Sequence, residues 1–428
     1  MLPGKTSRRR FLKKSLAAGT FGLSLSRMSA TSAARVHGAN ERIRIGLIGC
    51  GLRGRWIVRT MVRPQEDRTA LPAVCDIWKE RQQVLSAETD EAFGTAPETY
   101  SDYRLLLERN DIDAVIIATP DHQHCGQTID AVQAGKHVYV EKPIAAVIGD
   151  LDEVNRCNDV VKASKVVVQH GTQGVSGTAA PAIRKFIADA RLGKLFRIES
   201  SETLYHPFWM HYQGPETEAE TDWSAFLYNR PDRPFDARVH ARWMGYQDFS
   251  NGPIGGWMSH FSNLVHYVTD CDFPISATAF GGQYAPTNDP HCDAPDQVTV
   301  ILEYAEGFHT QFVTHFGNAL NRDTTLFMFE KGVLRTRFGH NPGNPVFSSE
   351  GVDDDLEPQK LLDEEPPHTA PVHVRNWIEC IRTGRTPNAH MDLGYKHGIA
   401  VLMGDAAYTL GRKVTFDKQT RQIRPVSA

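Results

Sequence analysis

The segment from Ile43 to Trp56 constrains the fold of this chain most, because it joins a short apolar run to a cluster of glycines. A strand, a tight glycine turn and a helix start, in this order, are what a dinucleotide-binding βαβ unit requires. Gly49 suits the tight turn, Gly51 lets the main chain approach a pyrophosphate, and Gly54 lets the helix pack closely on the strand. Unpaired N–H groups at the helix start would then face the phosphates. Glycine turns of this kind also occur for packing alone, so the surrounding chain decides the interpretation.

An acidic residue follows this turn at the distance that such a unit predicts. The run from Leu71 to Cys75 is typical of a second strand, and it ends at Asp76, whose carboxylate would accept hydrogen bonds from the adenosine ribose. A carboxylate at this position favours NAD, because it repels the 2′-phosphate of NADP. The alternative is that Asp76 only begins the turn into the next helix. NADP also stays open because of three nearby arginines, Arg53, Arg55 and Arg81.

The first 40 residues differ in composition from the rest of the chain. Residues 7–13, SRRRFLK, form a twin-arginine pattern, and a mildly apolar segment and then small residues follow. This order is typical of a Tat export signal, and its apolar segment is too short to span a membrane. A basic disordered tail is the alternative. We expect cleavage between Ala30 and Asn40 and a periplasmic or otherwise exported protein.

Export would change the charge of the mature chain and the way it holds a cofactor. Eight of the 47 Lys and Arg residues lie in the first 40 positions, and none of the 51 Asp and Glu residues does, so the remainder carries a formal charge of −12. This acidic balance argues against nucleic acid as a partner. The Tat route exports folded proteins, so an NAD-binding protein sent to a compartment without free NAD has to carry its cofactor along. We therefore expect a tightly bound cofactor.

The chain beyond the signal divides into two parts at about residue 170. Strand-like and helical patterns alternate over residues 41–170, which predicts an NAD(P)-binding Rossmann domain with a doubly wound α/β sheet. Residues 171–428 predict an α+β domain that is built on a largely antiparallel sheet and supplies the other half of the substrate site. This part includes a hairpin between 297–304 and 308–316 and a surface excursion over 340–370. The last helical segments leave open that C-terminal helices pack back onto the Rossmann domain. The seven cysteines are expected to be small buried residues and not a disulfide framework.

Polar residues at strand ends are candidates for ligand contacts, because ligands of an open α/β sheet bind beyond the carboxyl ends of its strands. Lys142 stands out, since it follows a buried strand and precedes Pro143, which restricts its direction. Near a nicotinamide cation and partly desolvated, its pKa would fall toward the range useful for proton transfer. A surface salt bridge with Glu141 is the alternative. The predicted cofactor contacts are Gly49, Gly51, Leu52, Arg53, Gly54, Asp76, Thr119, Pro120, His124, Glu141, Lys142 and Gln169.

The second part of the chain supplies further candidate catalytic residues. Residues 255–267, GGWMSHFSNLVHY, predict a glycine turn that opens a helix, with His260 and Asn263 three residues apart on one face. His260 would exchange a proton with a sugar hydroxyl that Asn263 orients. A packed structural histidine is the alternative, and we prefer it for His266. Dense aromatics over residues 205–257 predict sugar stacking or a subunit contact, and core packing accounts for at least half of them. No histidine here has the tight spacing of a zinc site, so no metal is predicted.

Five features in this order resemble the glucose-fructose oxidoreductase, inositol dehydrogenase and rhizopine-catabolism (Gfo/Idh/MocA) family: GLIGCGLRG, Asp76, DAVIIATPDHQH, AGKHVYVEKP and GGWMSHFSNLVHY. The resemblance covers residues 43–413. It implies a Rossmann domain, a second domain whose open sheet makes oligomer contacts, bound NAD(P), and oxidation or reduction of a sugar or polyol hydroxyl. The family's EKP lysine falls on Lys142 and its catalytic histidine on His260. Many relatives carry Asp near the position of Asn263, so the amide here weakens any claim of an Asp-His relay.

The reaction predicted from these features is hydride transfer between a ring CH–OH and the nicotinamide, with Lys142 and His260 handling the hydroxyl proton. Because the cofactor is expected to be trapped, the net chemistry should be redox-neutral or use a second sugar to regenerate it. Two alternatives stay open: redox-assisted cleavage of a glycosidic bond by elimination, and a non-catalytic NAD-bearing protein. The expected partners are a sugar, polyol or glycoside and further copies of the chain in a dimer or tetramer. No stable membrane insertion is expected after signal removal.

Overall fold

A computed structural model describes residues 42–427 apart from residues 319–323, 338–342 and 352–356. The predicted export signal and its cleavage region lie outside these described residues. Within them, no helix combines the length and the apolar composition needed to cross a bilayer. All seven cysteines fall in the described part of the chain, where they are free and buried, as predicted.

The first part of the described chain, residues 42–170, forms a six-stranded parallel sheet. We call this part the first or Rossmann half and the rest of the described chain the second half. Its central strands are apolar along their whole length because both faces of such a sheet are covered. The strands are β1 (Ile43–Ile48), β2 (Thr69–Cys75), β3 (Glu98–Tyr100), β4 (Ala114–Ile117), β5 (His137–Val140) and β6 (Val168–His170). Their spatial order is β3-β2-β1-β4-β5-β6, so the order reverses between β1 and β4, where a doubly wound sheet opens its ligand crevice. The Rossmann fold predicted from the sequence is confirmed.

Helices connect these strands, and the first of them begins directly at the glycine turn. Helix α1 (Leu52–Ile57) has Gly51 as its N-cap, and no side chain caps it, so N–H groups of its first turn are left for a ligand. It continues through a π-helical turn at Val58–Val62. The remaining helices of this half are α2 (Lys79–Phe93), α3 (Tyr103–Leu107), α4 (His124–Gln133) and α5 (Leu151–Ala163).

The second half of the described chain builds a ten-stranded sheet, in which neighbouring strands are antiparallel except for β7 and β10. Its strands are β7 (Leu195–Leu204), β8 (Ser276–Gly282), β9 (Gln297–Glu303), β10 (His309–Phe316), β11 (Thr324–Phe329), β12 (Gly332–Arg337), β13 (Val346–Ser348), β14 (Gln359–Lys360), β15 (Val414–Asp417) and β16 (Gln422–Pro425). The spatial order is β14-β13-β12-β11-β7-β10-β9-β8-β15-β16. The predicted antiparallel sheet and the β9–β10 hairpin are confirmed. Strands β13 and β14 fall within residues 340–370, where the sequence predicts only a surface excursion.

Helices of the second half join the two sheets. They are α6 (Ala179–Ile187), α7 (Trp223–Leu227), α8 (Ala237–Ala241), α9 (Ser259–Thr269), α10 (Thr369–Thr383) and α11 (Met391–Leu410). Helix α10 packs on the Rossmann sheet, where the Trp377 ring lies 5.9 Å from the Tyr139 ring of β5. Helix α11 contacts α9, strand β8 of the second sheet and helix α5 of the first half. The end of the Rossmann sheet and the start of α9 are thereby held against each other.

Candidate active site

A cavity of about 610 Å³ lies at the carboxyl ends of the Rossmann strands and extends to the start of α9. This volume is typical of a small-molecule or cofactor site. Residues from both halves of the chain line it. The predicted site residues that line it are Gly49, Gly51, Leu52, Arg53, Asp76, Thr119, Pro120, His124, Glu141, Lys142 and His260.

The glycine turn takes a geometry that side chains would prevent. Gly49 has a φ of +98°, in the region that favours glycine, and a Cβ there would lie 2.6 Å from backbone atoms of Ala118. A Cβ on Gly54 would lie 2.0 Å from the carbonyl oxygen of Gly49, so α1 packs against the turn with no space between them. Gly54 therefore shapes the turn from behind and does not itself line the cavity.

The Asp76 carboxylate connects the end of β2 to the glycine turn. One of its oxygens accepts a hydrogen bond from the backbone N–H of Cys50 at 2.7 Å, and the other accepts from the N–H of Trp78 at 2.9 Å. Burial raises the pKa of Asp76, although attraction to Arg81 and the backbone hydrogen bonds act against that shift. The side chain also lines the cavity. Because a carboxylate has about four acceptor positions, its role in the turn leaves room for a ribose contact.

An ion pair joins α1 to the end of β5. The Arg53 guanidinium donates to Oε1 of Glu141 at 2.8 Å, and the Tyr139 hydroxyl donates to the same oxygen at 3.2 Å. Burial acts to raise the pKa of Glu141, but attraction to Arg53 and the hydrogen bond from it prevail, so the pKa is lowered. Glu141 is therefore held as a carboxylate by Arg53, whereas Lys142 hydrogen-bonds to another element.

Lys142 reaches from the Rossmann half to the second half. Its Nζ donates to the carbonyl oxygen of Gly256 at 2.8 Å, in a π-helical turn, Ile254–Met258, that runs directly into α9. His260 lies one helical turn after Gly256 and lines the same cavity. Burial lowers the pKa of Lys142 by more than the neighbouring carboxylates raise it. An amine with a lowered pKa and an imidazole are thus brought to one end of the cavity.

Asp121 is a cavity residue that the sequence analysis does not select. It follows Pro120 at the end of β4 and accepts a hydrogen bond from the Ser250 hydroxyl at 2.9 Å. Burial raises its pKa to about 6, while the charges of His124 and Lys142 act in the opposite direction. Its place directly after a buried strand was the available signal, and it is the same signal that selected Thr119 and Pro120.

His124 fixes the loops that carry two of these residues. Its Nδ1 lies 2.8 Å from the carbonyl oxygen of Pro143, and its Nε2 lies 2.9 Å from the carbonyl oxygen of Thr119. The peptide bond between Lys142 and Pro143 is cis. The His124 ring therefore bridges the loops after β4 and β5, and holds the backbone next to Lys142 in place.

Two further predicted site residues lie away from the cavity. Gln169 is fully buried, does not line the cavity, and donates through Nε2 to the carbonyl oxygen of His373 at 2.9 Å, so it anchors α10 to β6. Asn263 is 1% exposed and does not line the cavity. Three residues along a helix advance it by about 4.5 Å, which carries Asn263 from the cavity edge, where His260 lies, into the interior. The geometry therefore does not support the predicted cofactor contact of Gln169 or the predicted substrate contact of Asn263.

The aromatic segment over residues 205–257 is shared between the cavity and the core. The aromatics that line the cavity are Phe208, Tyr212, Phe226, Tyr228, Trp243 and Trp257. Those that pack in the adjoining core include Trp209, Trp223, Tyr246 and Phe249. Within the described part of the chain, no three His, Cys, Asp or Glu side chains are grouped as metal ligands would be.

The Rossmann half matches a known family of enzymes. Residues 43–172 match the Gfo/Idh/MocA model, which describes an oxidoreductase family with an NAD-binding Rossmann fold. These residues are similar to the Rossmann domain of that family. The match contains the whole six-stranded sheet together with the glycine turn, Asp76 and Lys142.

Several curated proteins resemble the chain over part of their length. A glycosyl hydrolase family 109 protein of Solibacter usitatus is 33% identical over 40% of this chain and 39% of its own length. Levoglucosan dehydrogenase of Pseudarthrobacter phenanthrenivorans is 27% identical over 53% of this chain and 51% of its own length. 1,5-Anhydro-D-fructose reductase of Ensifer adhaerens is 30% identical over 40% of this chain and 55% of its own length. The matched part thus spans about half the length of these relatives or less.

Both halves of the described chain also resemble solved structures. Levoglucosan dehydrogenase in complex with NADH and levoglucosan superposes with a TM-score of 0.64 at 18% identity, over 87% of this chain and 99% of that chain. At this identity the likeness shows a shared fold of both halves. Function has to be argued from the residues that the fold brings together.

Proposed function

We propose that this chain is an exported oxidoreductase that holds NAD tightly and transfers a hydride to or from a hydroxyl-bearing carbon of a sugar, polyol or glycoside. One observation carries the proposal. The Nζ of Lys142 is bonded to the carbonyl oxygen of Gly256, one helical turn before His260, at one end of a cavity that also contains the glycine turn. One ligand-binding space therefore contains both a nucleotide cradle and a pair of proton-exchanging groups.

The residues at the glycine turn fit a dinucleotide. The first turn of α1 has no side-chain cap, and Gly51, Leu52 and Arg53 line the cavity there. Exposed N–H groups at a helix start, with glycine allowing close approach, suit the charge of a pyrophosphate. When bound, the nicotinamide accepts or donates a hydride, and the movement of protons falls to the protein.

Lys142 is the residue best suited to take the hydroxyl proton. Burial lowers its pKa toward the range in which an amine exchanges protons near neutral pH. The hydrogen bond to Gly256 fixes the direction of Nζ, and the contact of His124 with Pro143 fixes the backbone beside it. His260 supplies a second proton-exchanging group at the same end of the cavity. These two groups could thus accept the proton that oxidation of a hydroxyl releases and donate the proton that reduction of a carbonyl requires.

NAD is proposed as the cofactor in preference to NADP because of Asp76. Its carboxylate lines the cavity at the end of β2, where the adenosine ribose is bound in folds of this type. A 2′-phosphate at that position would be repelled by the carboxylate. Arg81 lies close enough to Asp76 for their charges to interact. Its positive charge would instead attract the 2′-phosphate and so favours NADP.

A segment of the second half, residues 212–228, lies against the loop that follows Asp76, and we call it the strap. The Arg81 side chain donates to the carbonyl oxygen of Gln213 at 2.9 Å, and Thr221 forms a β-bridge with Trp78. Further along the strap, the Gln123 amide donates to the carbonyl oxygen of Phe226 at 2.9 Å. Cavity-lining members of the strap are Tyr212, Asp222, Ser224, Ala225, Phe226 and Tyr228. These contacts fix the strap along the cavity wall, and we infer that a strap held in this way slows the loss of a dinucleotide, which supports the proposal of a tightly held cofactor.

Replacing Trp223 by alanine is expected to speed the loss of bound NAD about tenfold or more, since each 1.4 kcal/mol of lost stabilisation of the NAD-bound protein is worth a factor of ten. Trp223 is buried in the strap and stacks on Phe226 at 5.0 Å, but it does not line the cavity. Its removal therefore loosens the strap without deleting a ligand contact. The rate of nucleotide loss after rapid dilution, followed by fluorescence, measures the effect.

The matched control for this variant is Phe186→Ala. It removes an aromatic contact of similar kind, with the Phe347 ring at 5.2 Å, in a part of the second half away from the strap. The control should release NAD at the wild-type rate. Equal release rates from Trp223→Ala, the control and the wild type would contradict a role of the strap in retention.

Replacing Asp121 by asparagine is expected to move the rising limb of the pH profile of hydroxyl oxidation to lower pH by about one unit. The ionised carboxylate raises the pKa of Lys142, so its removal lowers that pKa, and Lys142 becomes a base at lower pH. Initial rates of NADH formation across the pH range give the limb. Ser250→Ala is the control, because it removes the hydrogen bond to Asp121 but keeps the charge. A limb that stays in place or moves to higher pH in the asparagine variant argues against Lys142 as the base.

The substrate class is proposed from the end of the cavity that contains His260. Phe208, Tyr212 and Trp257 line the cavity, and flat aromatic faces stack well on the C–H faces of sugar rings. Two of the similar proteins are, by name, a levoglucosan dehydrogenase and a 1,5-anhydro-D-fructose reductase. Both names are those of carbohydrate enzymes, which supports a sugar, polyol or glycoside as the substrate of this chain.

A redox-neutral cleavage of a glycosidic bond is the second candidate function. Transient oxidation followed by elimination needs a further acid or base, and the Asp121 carboxyl, with a pKa of about 6, lies beside Lys142. A similar protein bears the name glycosyl hydrolase family 109 protein. The electrons taken from the ring carbon return to it at the end of such a reaction, so a trapped cofactor needs no second substrate.

One experiment separates these functions. The mature protein is denatured to identify any released nucleotide, and its absorbance is recorded before and after addition of monosaccharides, inositols and aryl glycosides. Conversion of bound NAD to NADH by one sugar supports the oxidoreductase, and sugar release without lasting reduction favours the glycoside-cleaving enzyme. Bound NAD that reacts with nothing favours a non-catalytic NAD-bearing protein. Released NADP contradicts the role of Asp76, and a protein that neither releases nucleotide nor binds added NAD contradicts the proposal as a whole.

Export and self-association complete the proposal. The SRRRFLK pattern of residues 7–13 supports Tat export to the periplasm, which cell fractionation of the double variant Arg8→Lys, Arg9→Lys would test.

Phe280 and Ile301, on β8 and β9, are 70% and 40% exposed on the second sheet. Exposed apolar side chains on a sheet face support a dimer or tetramer, which sedimentation would measure.

A further inference from the structure

Four polar side chains are enclosed between α9, α11 and the end of β6, with almost no exposure to solvent. His170 and His397 are 0% exposed, and Asn263 and His266 are each 1% exposed. The rings of His170 and His397 lie 4.8 Å apart, and α11, which carries His397, packs along α9, which carries the other two. We call these four residues the inner polar cluster.

Most polar atoms of the inner polar cluster have no hydrogen-bond partner among the described residues. These atoms are Nε2 of His170, both ring nitrogens of His397, and Oδ1 and Nδ2 of Asn263. Nε2 of His266 faces the backbone of Asp272. The remaining ring nitrogens are used locally, since Nδ1 of His170 lies 2.9 Å from the Thr172 hydroxyl and Nδ1 of His266 lies 2.7 Å from the Ser262 carbonyl oxygen. Buried polar atoms without a protein partner are normally satisfied by ordered water. Several such atoms on neighbouring elements therefore indicate a hydrated interior.

The inner polar cluster interacts electrostatically with groups at the reactive end of the cavity and with a half-buried histidine. On the cavity side, the positive charge of Lys142 acts to lower the pKa of His397. The charge of His260 acts to lower the pKa of His170. On the other side, His170 also interacts with His390, which is half-buried and whose backbone pairs with the neighbouring residue of β6. The cluster thus lies between the groups that exchange the substrate proton and a side chain that reaches solvent.

We propose that the inner polar cluster holds ordered water and forms a proton route from Lys142 and His260 to solvent at His390. The proposal rests on the proposed function, because it needs a reaction that releases a proton inside the cavity. In the oxidation of a CH–OH group, the C–H bond breaks and the hydrogen leaves with both electrons to the nicotinamide. The O–H bond breaks as the carbonyl forms, and its proton passes to Lys142 or His260. The route removes that proton on the side that substrate and cofactor do not block, and reduction uses it in reverse.

The protonation state of the cluster suits this role. Burial lowers the pKa of His397 to about 3 and that of His266 to about 4, and it lowers the pKa of His170 well below its usual range. A neutral imidazole has one N–H and one lone pair, so it can accept a proton on one nitrogen while it releases one from the other. The other titratable groups that face these rings are His260, His373 and His390 near His170, Lys142 near His397, and Lys396 and Asp272 near His266.

A crystal structure of the mature chain, at a resolution that shows ordered water, tests the first part of the proposal without any activity. We expect waters within hydrogen-bond distance of the Asn263 amide and of the ring nitrogens of His397. A dry interior would overturn the route, and so would direct hydrogen bonds among these side chains that leave no place for water. Asn263→Leu should remove the waters bound to the amide while α9 keeps its position.

The kinetic test compares nucleotide reduction with the appearance of a proton in bulk solvent, followed by a pH indicator in weak buffer. His397→Phe breaks the route inside the protein, and His390→Phe closes it at the surface, where the fold tolerates change best. Both are expected to slow proton release about tenfold or more and to raise the solvent deuterium isotope effect. His397→Asn keeps a donor and an acceptor and should restore most of the rate. A merely structural effect would lower the thermal midpoint without changing the isotope effect.

His309→Phe, on β10, is the matched control and should behave as the wild type. If the wild type reacts but its proton release and isotope effect are unchanged in both phenylalanine variants, the route is overturned and the proposed function stands. If the wild type reduces no bound nucleotide with any sugar of the panel, the proposed function fails and the route fails with it. The two failures are therefore distinguishable.

Discussion

Replacing Lys142 by methionine is expected to lower the rate of sugar-dependent NAD reduction about 10³-fold, within the ~10²–10⁴ that a positioned acid or base contributes. Methionine keeps most of the apolar stem of lysine but removes Nζ, the atom that bonds the Gly256 carbonyl oxygen at the end of the cavity. The loss should appear in kcat, with little change in KM, because the proton moves only in the chemical step. Single-turnover absorbance of the bound nucleotide measures it.

The matched control for this variant is Lys162→Met. Lys162 lies on α5 with its side chain more than half exposed, in a surface ion pair with Asp392, and such pairs contribute little to stability. The control should keep full activity, and both variants should keep their bound NAD. A Lys142→Met protein that folds, holds NAD and reacts at the wild-type rate contradicts the mechanism. If neither it nor the wild type shows any reaction, a non-catalytic NAD-bearing protein is favoured.

The Rossmann half was predictable because its signals are local. The glycine turn, the apolar runs of β1 and β4, and the acidic residue after β2 are each contained in a few neighbouring residues. The β9–β10 hairpin follows from the same kind of signal, two alternating runs around a glycine. In contrast, β13 has three residues and β14 has two, so neither is long enough for an alternating pattern to be detected.

The candidate site was predictable only in part, because sharing a cavity depends on contacts between distant segments. Each of the two central residues has a local signal. Lys142 follows a buried strand, and His260 follows a glycine pair. Gln169 follows a similar signal, but α10, which comes about 200 residues later, covers it through His373. Asp121 has the same local signal as Thr119 and Pro120, but the hydrogen bond that fixes its carboxylate comes from Ser250, 129 residues away in the chain. His260 and Asn263 share a face of α9, but the rise of about 4.5 Å between them takes Asn263 away from the cavity edge.

Replacing Gly54 by alanine is expected to lower the thermal midpoint of unfolding and to abolish retention of NAD. The added Cβ would lie 2.0 Å from the carbonyl oxygen of Gly49, and real Cβ atoms essentially never come closer than 3.0 Å, so α1 or the turn must shift by about 1 Å or more. Overpacking of this kind costs ~1–3 kcal/mol or more. The gain from alanine in a helix is at most ~1 kcal/mol. The clash therefore prevails, and the shift that relieves it moves the N–H groups of the turn away from the cavity.

Gly149→Ala makes the same chemical change where it should do no harm. An added Cβ at Gly149 meets nothing within 4 Å, and the residue is exposed in the turn before α5. Its stability should lie within ~0.5 kcal/mol of the wild type or slightly above it, because alanine lowers the entropy of the unfolded chain. Calorimetry and denaturation-released nucleotide compare the two variants. Both add one methyl group to a Rossmann connection, so only the position of the group relative to the glycine turn differs. If Gly54→Ala unfolds at the same thermal midpoint as Gly149→Ala and still carries NAD, the turn does not bind the nucleotide, and the proposed function loses its structural basis.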